Sequence, residues 1–258
     1  MKTIDLEKTL KTLNSDGYAV LENYFDEDFC NRSILSIEKK IDSIDSNIEN
    51  SLGAGGDIRL FKFENISKEA TLFSKNKLLL KIAEDYTKKK LSTHFVLAGK
   101  LEHSNDIKAN SGGGWHRDSD GIQFKAMVYL NDVNSKNGPF LFVTNSKTKD
   151  AKRERIRKFN SFLFYVKRFI KYQKIRDPRY SDNSISNFFR KRKYQPIEIV
   201  ASKGSVVLFD GSFIHRGKEI QSGLRYSLTN YYYGNDEKAK TLTLKKYGHL
   251  FLKRITHE

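Results

Sequence analysis

The sequence predicts an α+β chain in which an antiparallel sandwich or barrel is packed against helices on its outside. Three features predict it. Apolar residues recur at helical spacing through the first ninety positions, short β-rich runs separated by Gly, Asn or Asp follow from about residue 93, and one basic helical stretch interrupts those runs. The 258 residues suit a single domain spanning 1–258 with an insertion at 147–193. An aromatic content of 12% sets the chain apart from disordered sequences of similar polarity.

Leu6, Leu10 and Leu13 mark a first helix, which Asp16-Gly17 ends before the apolar run Tyr18-Ala19-Val20-Leu21. Asp26 caps a second helix reaching about residue 44, with Phe29, Ile34, Ile37 and Ile41 on one face. Residues 50–57, with three glycines, read as a loop, and 77–91 as a further amphipathic helix. Strands are expected at 94–101, 124–130, 140–144, 197–200, 205–209 and 226–233.

The insertion opens with Ile156, Phe159, Phe162, Leu163, Val166, Phe169 and Ile170 at helical spacing among basic residues. From 147 to 193 there are 17 lysines and arginines against 4 acidic residues, most of the chain's net charge of +16. Such a helix suits a lid or docking element for an anionic substrate, or peripheral membrane contact through 151–174. It also suits plain packing on the barrel with its charges solvated.

The lone Cys30 excludes an intramolecular disulfide and any thiolate-built cluster. There is neither a signal-like leader nor an apolar run of roughly 18 residues, so a soluble cytoplasmic protein is expected, if anything peripheral to a membrane.

Trp115-His116-Arg117-Asp118 contains His-x-Asp, whose alternate side chains project to one side and reach one metal. A third ligand is available at His215, just past the apolar run Val206-Val207-Leu208-Phe209. Two imidazoles and one carboxylate on one face leave positions open, the ligand set of non-haem Fe(II) oxygenases. Arg225 follows His215 by ten residues, and a guanidinium one strand away grips a carboxylate with two parallel hydrogen bonds. A dicarboxylic acid such as 2-oxoglutarate, chelating iron with its other end, fits that pairing.

Taken in order, Asp16-Gly17-Tyr18-Ala19-Val20-Leu21, Trp115-His116-Arg117-Asp118, Leu130-Asn131-Asp132-Val133, Asn137-Gly138-Pro139 and the stretch from Gly204 to Arg225 resemble the phytanoyl-CoA dioxygenase family of Fe(II)/2-oxoglutarate oxygenases. The resemblance implies a double-stranded β-helix (jelly-roll, cupin-like) core with flanking N-terminal helices. It also implies iron on His116, Asp118 and His215, the distal carboxylate of 2-oxoglutarate on Arg225, and O2 as oxidant, with succinate and CO2 released. Retention of Asp118, where related halogenases carry a small residue, points to hydroxylation.

Two departures stand out. Thr144-Asn145-Ser146-Lys147 replaces the family's Gly-Ser-His turn, and Gly217 stands where a serine is common. Tyr231 occupies the place of a second arginine in nucleic-acid demethylases, so nucleic acid is not the expected substrate. Lys100 is a candidate second contact for 2-oxoglutarate, and Trp115 and Phe124 are candidate substrate contacts. The expected activity is hydroxylation of a small anionic or lipid-linked metabolite. The rival readings are a non-catalytic jelly-roll module binding a polyanion or a membrane, and a metal-dependent isomerase or hydrolase in a cupin-type barrel.

Overall fold

The computed structural model describes residues 4–43, 56–103, 114–119, 121–147, 180 and 182–234. The amphipathic stretch 151–174 lies outside them.

Helix α1 (Leu6–Asp16) begins where the Asp5 carboxylate accepts the Lys8 amide at 2.9 Å, and ends at Gly17 in the left-handed region. Gly17 is also a close approach: a Cβ there would stand 2.5 Å from the Phe213 ring. Strand β1 (Tyr18–Leu21) follows, then α2 (Glu27–Asp42), capped by Asp26 through the Phe29 amide. Asp57 opens β2 (Asp57–Leu60) rather than closing a loop, and two short helical pieces, Phe63–Asn65 and α3 (Lys68–Ser74), lead into α4 (Lys77–Thr87). Lys88 in the left-handed region stops α4 four residues before the end that the sequence pattern suggests.

The remaining elements are β3 (Leu91–Glu102), β4 (Phe124–Tyr129), β5 (Phe140–Phe142), α5 (Asp182–Arg192), β6 (Ile197–Ile199), β7 (Val206–Asp210), β8 (His215–Gly217) and β9 (Leu224–Gly234). A six-stranded sheet runs β1-β7-β4-β9-β3-β2 and a three-stranded sheet runs β6-β5-β8, with every pairing antiparallel.

Period-two alternation divides the larger sheet into two faces. Val96, Ala98, Ala126, Val128, Val206, Leu208 and Leu228 form one face and pack on Leu13, Phe29, Ile37, Phe73, Leu79 and Ile82 of the helices. Met127, Tyr129, Val207 and Phe209 form the other and meet Phe140, Phe142 and Ile199 of the smaller sheet. β4 and β7 are therefore buried on both sides along their whole length. The outer face of the smaller sheet, with Trp115, Val143 and Ile214, is covered by Ile185, Phe188 and Phe189 of α5. The result is the double-stranded β-helix, a sandwich whose two inner faces enclose a slot. Among the described residues no helix is long and apolar enough to cross a membrane.

Candidate metal and co-substrate site

Three side chains converge at one end of the slot. The segment carrying Trp115 to Asp118 adds an extra pairing to the smaller sheet: the His116 and His215 amides each donate to the other residue's carbonyl at 3.0 Å. The Asp118 amide then donates to the Gly211 carbonyl at 2.8 Å. This backbone frame sets the two imidazole rings 4.4 Å apart and brings one ligand atom from each of His116, Asp118 and His215 to within 4.8 Å of the others. Gly211 is required at its position, since a Cβ there would meet Asp118 Oδ2 at 2.4 Å.

The tautomers follow from the partners. His116 Nδ1 lies 3.0 Å from the Gly114 carbonyl and His215 Nδ1 lies 2.9 Å from the Phe213 carbonyl. A carbonyl only accepts, so both Nδ1 atoms carry the hydrogen and both Nε2 lone pairs face inward. His215 Nε2 lies 3.2 Å from Asp118 Oδ2 and His116 Nε2 lies 3.9 Å from Asp118 Oδ1. Burial, and then the His215 ring beside it, pushes the His116 imidazole down to about 3, so it is neutral near pH 7. Inward lone pairs directed at a carboxylate repel one another until a cation sits between them. The three residues thus fit a divalent metal of the two-histidine, one-carboxylate kind.

Asp118 has a further partner that sequence reasoning missed. Lys125, on the slot face of β4, places Nζ 2.7 Å from Asp118 Oδ2, with only 5% of its side chain exposed. The ammonium also stands 4.3 Å from the centre of the Tyr231 ring, its cross-strand neighbour. Burial pushes the Asp118 carboxyl up, but Lys125 and the two imidazoles outweigh it and hold it well below the usual carboxylate range. A lysine inside an apolar strand, seven residues from the carboxylate of a His-x-Asp, is the signal that could have found it.

Arg225 enters the slot from β9, where it pairs in register with Leu101. Its Nη1 donates to the Gly138 carbonyl, while its buried Nε has no hydrogen-bond partner among the described residues. Burial draws the guanidinium below its ordinary value, with Tyr129 nearby acting in the opposite direction. Tyr129 links this end to the metal end: its hydroxyl accepts the Phe140 amide at 3.1 Å, and the Phe140 ring lies 5.3 Å from that of His215. A buried guanidinium with an unsatisfied N–H fits a carboxylate ligand.

The other candidates are placed elsewhere. Lys100 sits next to Leu101 and so faces away from the slot. It pairs with Glu38 of α2 at 3.0 Å and with Glu102 at 3.6 Å, which removes it as a partner of Arg225 in gripping one ligand. Phe124, 1% exposed, lies on the helix side of the sheet against Tyr86 and Tyr232. Trp115 faces the outside of the smaller sheet, edge-on to Phe189 of α5 at 5.0 Å. Neither aromatic lines the slot. At the altered turn, Ser146 accepts the Ile214 amide, and Lys147 reaches the buried Asp210 at 3.2 Å where the family has histidine.

A sheet sandwich with two histidines and an aspartate at one end of its slot defines a class, the jelly-roll non-haem iron oxygenases. Within it, the family model of phytanoyl-CoA dioxygenase (PhyH) matches residues 13–225, and the chain belongs to that family. The family's metal and co-substrate, Fe(II) and 2-oxoglutarate, are those the residues fit. No curated protein matches the sequence. Among solved structures, the fold is shared with the non-haem alpha-ketoglutarate-dependent epimerase SnoN from nogalamycin biosynthesis, at 14% identity and a TM-score of 0.62, covering 89% of this chain and 82% of that one. It is shared with HygX from Streptomyces hygroscopicus, solved with nickel and 2-oxoglutarate bound, at 14% identity and a TM-score of 0.59, covering 91% and 88%. The carbocyclase SnoK, also from nogalamycin biosynthesis, aligns at 13% identity with a TM-score of 0.61, covering 92% and 88%.

Proposed function

We propose that the chain is an Fe(II)/2-oxoglutarate-dependent hydroxylase of a small organic molecule. His116, Asp118 and His215 hold the iron and Arg225 holds the distal carboxylate of 2-oxoglutarate. The observation that carries the reading is the set of inward Nε2, carboxylate and Nε2 donors, each imidazole locked through its Nδ1–H to a backbone carbonyl. When bound, the iron couples oxidation of a substrate C–H bond to conversion of 2-oxoglutarate and O2 into succinate, CO2 and the alcohol. The protein orients and excludes water: β4 and β7 are closed on both faces, and Met127, Tyr129 and Phe209 wall the slot with Phe140.

Asp118 supports transfer of a hydroxyl group, since it fills the coordination position that a halide needs. Neighbours described as an epimerase and a carbocyclase share the fold, so product analysis has to score hydroxylation against hydrogen removal without oxygen transfer. HygX has been solved with hygromycin B bound, in keeping with a small-molecule substrate. The net charge of +16 favours an anionic one.

Anaerobic titration of the Fe(II)-loaded protein with 2-oxoglutarate, followed by its visible charge-transfer absorption, tests the reading. The expected result is a saturable band lost in His116→Ala and displaced to much higher 2-oxoglutarate in Arg225→Ala. A folded, iron-loaded protein without the band would overturn it.

A further inference from the structure

Lys125 is costly where it stands. An ammonium taken out of water loses several kcal/mol of hydration, and a buried pair is on average no more stabilising than apolar residues of the same volume. Nothing in the packing demands a charge there: its flanking neighbours Phe124 and Ala126 are apolar, and Phe209 and Tyr231 stand opposite it on either side. What the charge meets is one oxygen of Asp118, at 2.7 Å, with His215 Nε2 3.2 Å from the same oxygen and Gly211 close against it.

We propose that Lys125 is a positioning residue for the metal, holding Asp118 to the orientation it needs and keeping the bound iron ferrous by its fixed positive charge. This rests on the reading of His116, Asp118 and His215 as iron ligands. Two consequences follow from the geometry. The carboxylate is anchored through a hydrogen bond to one oxygen, so it cannot rotate freely to offer both oxygens to the metal. A unit positive charge one carboxylate away from the iron also disfavours Fe(III) relative to Fe(II), and with the Lys125 side chain only 5% exposed that repulsion is weakly screened. The Tyr231 face stabilises the ammonium from the other side and keeps it pointed at Asp118. The resting enzyme is thereby protected against loss of an electron to stray oxidants.

Three variants separate charge from hydrogen bonding. Lys125→Arg keeps both, Lys125→Gln keeps a donor without charge, and Lys125→Met keeps neither. Co(II) binding and its absorption spectrum report the intact ligand set, and the Fe(III)/Fe(II) midpoint potential reports the charge. The expected result is a shift of about tenfold or more toward Fe(III) in the Gln and Met variants, or about 59 mV for one electron. Their ferrous forms should oxidise correspondingly faster, while the Arg variant stays near wild type.

If Met prevents folding, the Gln and Arg pair carries the comparison through the midpoint potential, which the Gln variant should shift and the Arg variant should not. Gln and Met variants with wild-type metal affinity and potential would overturn the inference and leave the proposed function standing. A wild-type protein that binds no iron would remove both.

Discussion

Lys100 and Lys125 stand on opposite faces of one six-stranded sheet, and each pairs with a carboxylate. Lys100 meets Glu38 where the side chains are 16% and 31% exposed; Lys125 meets Asp118 where they are 5% and 10% exposed. At the first site water shares the work of solvating both charges. At the second water has little access, and the ammonium and the carboxylate face each other, the Tyr231 ring and two imidazoles. The helix-facing side is built for cohesion and tolerates a charged residue at its rim. The slot-facing side holds ionised groups that cohesion does not explain, at Arg225 as well as at Lys125, and it is there that chemistry is expected.

The comparison breaks first if the slot is not the metal site. His215→Ala removes one of three ligands and should weaken Fe(II) binding at least about a thousandfold, roughly 4 kcal/mol, in anaerobic calorimetry. The helix-facing side answers to a different measurement. Phe124→Ala takes a fully buried ring from between Tyr86 and Tyr232, and denaturant unfolding should show a loss of roughly 3 kcal/mol. The folded fraction should bind 2-oxoglutarate normally; a selective loss of substrate affinity without loss of stability would return Phe124 to the slot. Arg225→Met should raise the dissociation constant for 2-oxoglutarate about a hundredfold, roughly 2.7 kcal/mol for two charge-assisted hydrogen bonds, while leaving Co(II) binding unchanged.

Much of this is legible in the amino-acid sequence, because the signals are periodic or spaced. Leu6, Leu10 and Leu13 announce α1. The apolar runs that become the all-buried strands at 124–129 and 206–210 announce the centre of a sheet, and the ten-residue offset from His215 to Arg225 announces two residues near the starts of successive strands, β8 and β9. β2 is hidden because Asp-Ile-Arg-Leu follows a glycine-rich stretch and its alternation runs for only four residues, and α3 because seven residues are too few to establish a period. Trp115 and Phe124 are drawn to the site by nearness in sequence to His116 and Asp118. Adjacent residues of an extended chain face opposite ways, which sends both rings to the outer layers.

The same parity explains the reversal of the two lysines, and it supplies the smallest and most discriminating prediction. Lys100 is one residue from Leu101, which pairs with Arg225, so it points away from the slot. Lys125 lies four residues from Tyr129 on β4, an even number, so both point into the slot, about 13 Å apart along the strand. Lys100→Met should therefore leave Fe(II) affinity, 2-oxoglutarate affinity and midpoint potential at wild-type values. Its cost is confined to incompletely buried pairs with Glu38 and Glu102, below about 1 kcal/mol after solvent screening, read as a small shift in the unfolding midpoint. A tenfold loss of 2-oxoglutarate affinity in this variant would mean that the face assignment of β3 is wrong, and with it the separation of a cohesive face from a chemical one.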